Sequence, residues 1–277
     1  MNTSIHSGTA LISGASCGVG AAYADRLARR GHDLILVAGD RDRLCALACG
    51  ITDDTGRSVE VLAADLATQE GRRSVERALS DDASITMLVN TTGPGAAAPV
   101  LASDADAMER LIALDMTAPM RLACAAAQAF AARGHGTIIN IASIAAIVPE
   151  RHNGAYAGAM AFVLAFSQSR HHELASHGIR VQAVLPSATA AGLWNADGTR
   201  RALFSSRMAM PAAIMVDAAL AGLDLGESVT VASLPDAVLW AAHGAARQAI
   251  RETLSRSARA ARYRSRLQVN RSPSHHT

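Results

Sequence analysis

An α/β fold, a doubly wound parallel sheet with helices on both faces, is predicted by three observations. Short apolar segments alternate with amphipathic or Ala-rich segments along most of the 277 residues. The apolar segments are continuous runs, the mark of strands buried on both faces. A glycine-rich turn, SGASCGVG, directly follows the first of them. Half of the residues are hydrophobic but only 3% are aromatic, so aliphatic and alanine packing must carry the core.

The elements follow in order. Residues 9–13 form an apolar strand, 19–30 an amphipathic helix and 34–38 a second strand. A helix over 41–49, a strand over 59–64 and a helix over 69–80 repeat the unit. A strand at 86–90 precedes a long helix over 104–132, and a strand at 137–142 precedes another over 153–176. After a strand at 180–185 the rhythm breaks over residues 187–215, where small residues mix with Trp194, Phe204, Met208 and Met210. Such an excursion beyond a strand's carboxyl end is expected to form a pocket lid. Helices over 217–225 and 235–246 close the pattern. No Pro/Gly-rich linker divides the chain, so one domain over 1–263 is expected, with a basic, disordered tail over 264–277.

Composition narrows the function. The formal charge is +2, yet residues 245–277 hold eight arginines against Glu252, about +7. Interleaved aromatics are absent from that tail apart from Tyr263, which argues against nucleic acid. The apolar run near Ile138–Val148 falls short of the roughly 20 residues a membrane span needs. With the polar start MNTSIHSGT no secretory signal is expected, and the expected compartment is a reducing cytoplasm. Cys17, Cys45, Cys49 and Cys124 give no disulfide framework, and no metal site is expected.

The glycine turn is the strongest local signal. Gly14, Gly18 and Gly20 permit a tight turn and a close backbone approach to a pyrophosphate at the next helix N-terminus. Ser16, Cys17 and Val19 belong to the same turn. Asp65, in AADL with Leu66, follows the third strand, where it could accept from an adenine amino group. Asn90 ends the fourth, with Gly93 allowing passage near a ribose, and Pro186 ends a later strand near a nicotinamide position.

With these residues in this order, the chain resembles the short-chain dehydrogenase/reductase family over about residues 8–245. The resemblance implies a Rossmann-like sheet of about seven strands, an NAD(P) cofactor and a Ser–Tyr–Lys set assisted by Asn. Ser143, in INIASIAA, lies thirteen residues before Tyr156, the family spacing. It also implies a small-molecule substrate and a homodimer or homotetramer joined through the two long helices.

The family pattern is eroded at specific positions. Its lysine falls on Met160, its helical asparagine on Asp115 and its later threonine on Ala191. The basic residue that grips a 2′-phosphate falls on Gly39, followed by Asp40 and Arg41, so NAD and NADP both remain open. All 26 basic residues are arginine, so no lysine elsewhere replaces the missing one. Met160 offers Tyr156 neither charge nor donor, so Tyr156 is expected to stay protonated near a pKa of ~10. Protonated tyrosine donates to a carbonyl oxygen well and serves poorly as a base, so reduction should be favoured. The expected function is NAD(P)H-dependent reduction of a small or apolar carbonyl or imine compound. The alternatives are a dinucleotide-binding regulatory protein and a cyclase or isomerase on the same scaffold.

Overall fold

The structure, a computed structural model, describes residues 7–16, 18–91, 104–151, 154–187, 210–254 and 257. Its contacts divide the chain into two compact units, Met1–Ser233 and Leu234–Thr277.

The first unit is built on seven parallel strands in the order β3-β2-β1-β4-β5-β6-β7. They are β1 (Thr9–Ser13), β2 (Asp33–Ala38), β3 (Val59–Ala63), β4 (Ile85–Asn90), β5 (Gly136–Ile141), β6 (Ile179–Val184) and β7 (Val229–Thr230). The chain starts at the centre, winds outward to β3, then returns to β4 on the other side of β1. That reversal leaves a crevice beyond the carboxyl ends of β1 and β4, where open α/β sheets bind ligands.

Helices α1 (Gly18–Arg29), α2 (Arg41–Thr55) and α7 (Ala212–Asp224) cover one face through a core containing Tyr23, Leu27, Leu44 and Met215. Helices α3 (Gln69–Asp81), α5 (Ala118–Arg133) and α6 (Gly154–Leu174) cover the other, around Leu79, Leu122, Phe130 and Leu174. The six expected strands and the helices between them are present, with shifted ends. Helix α2 runs past Gly50, which meets only open space, and stops at Gly56 with φ +68°. Strand β7 is two residues long, too short to register as an apolar period.

The expected long helix over 104–132 is interrupted. Helix α4 (Ala105–Ile112) passes into a π-helical turn, Ala113–Thr117, before α5 begins. Pro119 has no N–H for the Asp115 carbonyl one turn back, so the ladder shifts register, and Ala118 N–H bonds to Ala113 O instead. Helix α7 also begins at Ala212, inside the 187–215 segment expected to be a lid. Of that segment, residues 188–209 lie outside the described residues.

The second unit contains α8 (Ala237–Leu254), on which no residue is buried. The sequence expectation is one domain over 1–263, and this helix lies in the second contact unit. The expected tail, 264–277, lies outside the described residues. Among the described residues no helix is long and apolar enough to cross a membrane.

Candidate active site

The glycine turn sits where β1 hands the chain to α1. Gly14 has φ +66°, and a Cβ there would run into Thr91 at the end of β4. Thr91 is itself fastened to β1: its Oγ1 donates to Ser13 O at 2.5 Å, and its N–H donates to Ser13 Oγ at 3.2 Å. A Cβ on Gly20 would strike the Gly14 carbonyl, so the first turn of α1 rests directly on the loop. Gly18 and Val19 open α1 and Ser16 precedes it, all partly exposed, while Cys17 lies outside the described residues. No acidic residue occupies the first turn of α1. Its amide groups and positive dipole end therefore face no competing carboxylate, and the cradle fits a pyrophosphate.

The second strand's exit is less open than its sequence suggests. The Asp40 carboxylate caps α2 by accepting from Arg43 N–H at 3.1 Å and also pairs with the Arg43 guanidinium. Arg41 is exposed on the first turn of α2. Asp65 sits just past β3, with Oδ1 accepting from Ala67 N–H at 2.9 Å and Oδ2 from Arg110 Nη2 at 3.0 Å. Burial alone would raise its pKa, but these two partners hold it below the ordinary carboxylate value. Leu66 is buried beside it.

Asn90, expected at the cofactor site, has its side chain engaged within the protein. Its Nδ2 donates to Asn140 Oδ1 at 2.9 Å and to Pro119 O at 3.2 Å. Both amide hydrogens are thus spent inside the protein, and the side chain is buried. Asn140 passes the connection on, donating to Ser167 Oγ at 2.9 Å, and Ser167 donates to Val163 O at 2.7 Å within α6. A buried polar chain therefore joins the end of β4 to α6 across β5. Gly93 lies outside the described residues.

At the carboxyl end of β5, Ser143 is extended, with its Oγ accepting from Ala145 N–H at 3.1 Å. Next to it, Ile144 N–H bonds to Pro186 O at 3.0 Å, joining the loops that follow β5 and β6. Pro186 is buried, and its carbonyl is committed to this tie. Tyr156, in the first turn of α6, makes a side-chain hydrogen bond with Ser143. Asp115 lies in the π turn, 2% exposed and close enough for its charge to act on Tyr156. Met160 is one turn along α6 and fully buried. Ser143, Tyr156 and Asp115 thus converge from three separated segments.

The pKa of Tyr156 is raised, not left at the ordinary phenol value. Burial is the main cause; the Ser143 hydrogen bond pulls the other way, and the Asp115 charge adds to the rise. Ala191 lies outside the described residues. No cluster of three or more His, Cys, Asp or Glu with metal-site geometry occurs among the described residues. Sequence reasoning missed Arg110, Asn140 and Ser167, whose roles arise only when α4 and α6 fold over the sheet.

Comparison with known proteins adds independent support for the family. The short chain dehydrogenase family model matches residues 8–201. A short-chain dehydrogenase from Sphingobium yanoikuyae, solved in complex with NADPH, is 43% identical. It aligns over 93% of this chain and 100% of that one, with a TM-score of 0.88. A bulky-bulky ketone specific alcohol dehydrogenase from Comamonas testosteroni is 39% identical over 94% of this chain and 100% of that chain, with a TM-score of 0.86. A very-long-chain 3-oxoacyl-CoA reductase from Anas platyrhynchos is 31% identical over 64% of this chain, a match spanning 58% of that relative's length. Family model, sheet order and glycine turn agree, and the chain belongs to the short-chain dehydrogenase family of oxidoreductases.

Proposed function

We propose that the protein is an NAD(P)H-dependent reductase of an apolar carbonyl or imine compound, working with Ser143 and Tyr156 and without a lysine. The observation that carries this reading is the Ser143–Tyr156 hydrogen bond beside a buried Asp115 and a buried Met160. The NADPH complex of the Sphingobium enzyme supports the cofactor, and the ketone specificity of the Comamonas enzyme supports a carbonyl acceptor.

The dinucleotide would be held by the Gly14–Gly20 turn, the N-terminus of α1 and Asp65; when bound, its nicotinamide supplies hydride. Ser143 Oγ already accepts the Ala145 amide, so its hydrogen is directed outward to the acceptor oxygen or to Tyr156. Tyr156, protonated because burial and Asp115 raise its pKa, donates its proton to the acceptor oxygen or nitrogen. Met160 contributes apolar bulk where a cation would otherwise favour tyrosinate. The chemistry is biased toward reduction.

The segment over 187–215 is proposed to cover the substrate, and the exposed sides of α5 and α6 to join copies into a dimer or tetramer. The decisive experiment is titration calorimetry with the four nicotinamide dinucleotides, then nicotinamide oxidation over a panel of aryl and alkyl ketones, aldehydes and cyclic imines. Tight dinucleotide binding with turnover of at least one class is expected. Binding without turnover of any acceptor would sink the reductase reading and favour a dinucleotide-sensing role.

A further inference from the structure

Arg110 lies at the outer edge of the proposed cofactor site and has no part in the chemistry above. It sits in the last turn of α4, and its Nη2 donates to Asp65 Oδ2 at 3.0 Å. The other carboxylate oxygen is tied to the Ala67 amide at 2.9 Å. The backbone thus pins the carboxylate on one side, and its remaining oxygen carries a guanidinium. The side chains are 60% and 42% exposed, so the pair adds little to folding stability and both groups remain accessible. Arg72, the second cation near Asp65, spends its Nη1 on the carbonyls of Leu66 and Ala67, both at 2.8 Å, and shapes the loop. Among the described residues, Asp65 is the side-chain acceptor that Arg110 engages, leaving most of its five N–H donors uncommitted.

The chemistry of the pair differs from that of a lone carboxylate. A carboxylate is acceptor-only: it suits the 6-amino group of adenine and repels a 6-oxo group. A guanidinium beside it supplies the opposite polarity. A 6-oxopurine presents an acceptor oxygen next to an N1–H donor, the complement of a guanidinium next to a carboxylate.

We infer that Arg110 is a base-reading residue of the dinucleotide site, and that the Arg110–Asp65 pair admits a 6-oxopurine dinucleotide alongside the adenine form. This rests on the cofactor reading above.

The test is calorimetric titration of the full chain with reduced nicotinamide adenine dinucleotide, its hypoxanthine analogue and reduced nicotinamide mononucleotide, the dinucleotides with and without the 2′-phosphate. The parent protein should bind hypoxanthine and adenine forms within about fivefold of each other, and Arg110→Ala should weaken the hypoxanthine form about tenfold relative to adenine. Affinity for the mononucleotide, which has no purine, should be unchanged in Arg110→Ala, and an unaltered thermal midpoint will show the variant is folded. An unchanged hypoxanthine-to-adenine ratio in Arg110→Ala overturns the inference and leaves the cofactor reading standing. So does rejection of the hypoxanthine form by the parent by about a hundredfold or more. Failure of every adenine dinucleotide to bind the folded parent overturns both.

Discussion

The two ends of the crevice are built on different principles. At the β1–α1 end, function is written in backbone: Gly14 holds a positive φ against Thr91, and Gly20 lies on the Gly14 carbonyl. In the proposed cofactor site no side-chain charge from α1 is needed, because amide groups and a helix dipole would hold the pyrophosphate. At the β5–α6 end, function is written in side chains that meet across 41 residues of sequence, from Asp115 to Tyr156. What matters at that end is the electrostatic setting of one phenol. The first end tolerates almost no added atom; the second is tuned by which charges stand near Tyr156.

Two substitutions test that division most severely. Tyr156→Phe removes the proposed proton donor and leaves the cradle untouched. Reduction should fall about 10²–10⁴-fold with dinucleotide affinity within about twofold of the parent. Retention of full turnover would show that another group carries the proton. Gly20→Val does the reverse. Its side chain meets backbone atoms of Gly14 and Ala15, which cannot rotate away. Dinucleotide affinity should drop about a hundredfold in a protein that still folds, as read by calorimetry and circular dichroism. Parent-like binding would mean that the cradle has been placed at the wrong turn.

The same division explains what could be read from the sequence. The cradle end was legible because a glycine pattern between a strand and a helix reports a backbone conformation, and backbone conformation is local. The catalytic end was legible only as spacing, Ser143 to Tyr156. The raised pKa of Tyr156 was not, since it depends on burial and on Asp115 arriving from a π turn that interrupts an otherwise ordinary helix pattern. The Asn90 side chain shows what a strand-end position leaves unread. Its place at a strand end suggested ligand contact, but whether an amide faces a crevice or a core depends on Asn140 and Pro119, 50 and 29 residues away. Helix α8, expected over 235–246, runs on to Leu254, and its Val238, Leu239, Ile250 and Leu254 are exposed.

Met160→Lys sharpens the contrast by changing the catalytic end alone. A cation one helical turn from Tyr156 favours tyrosinate, and opposite charges at this range lower an acid's pKa by about 1–3 units. In the parent, the phenol pKa lies above its usual value, so alcohol oxidation, which needs the ionised form, should rise only in strongly alkaline buffer. In Met160→Lys the oxidation midpoint should fall by about 1–3 pH units. Position 160 is fully buried, which opposes a charged lysine, so the shift lies at the lower end of this range where desolvation dominates. The pH dependence of alcohol oxidation measures this directly, and a parent already at its maximum near neutral pH would contradict the assignment of Tyr156.

Asp115→Asn is the gentlest probe and bears on the same phenol. Of the influences that raise the Tyr156 pKa, burial is the larger and the Asp115 charge the smaller. Replacing the carboxylate by an amide of nearly the same shape removes the charge and keeps the volume. The alkaline limb of oxidation should therefore move down by less than about one unit, a smaller shift in the same direction as for Met160→Lys. The amide also restores a donor that a carboxylate lacks, so the rate of reduction at neutral pH should not fall. If the limb stays in place, Asp115 is protonated in the folded protein and exerts no field. The environment of Tyr156 would then be set by burial and Ser143 alone, and Met160→Lys would introduce a cation with no carboxylate to hold it.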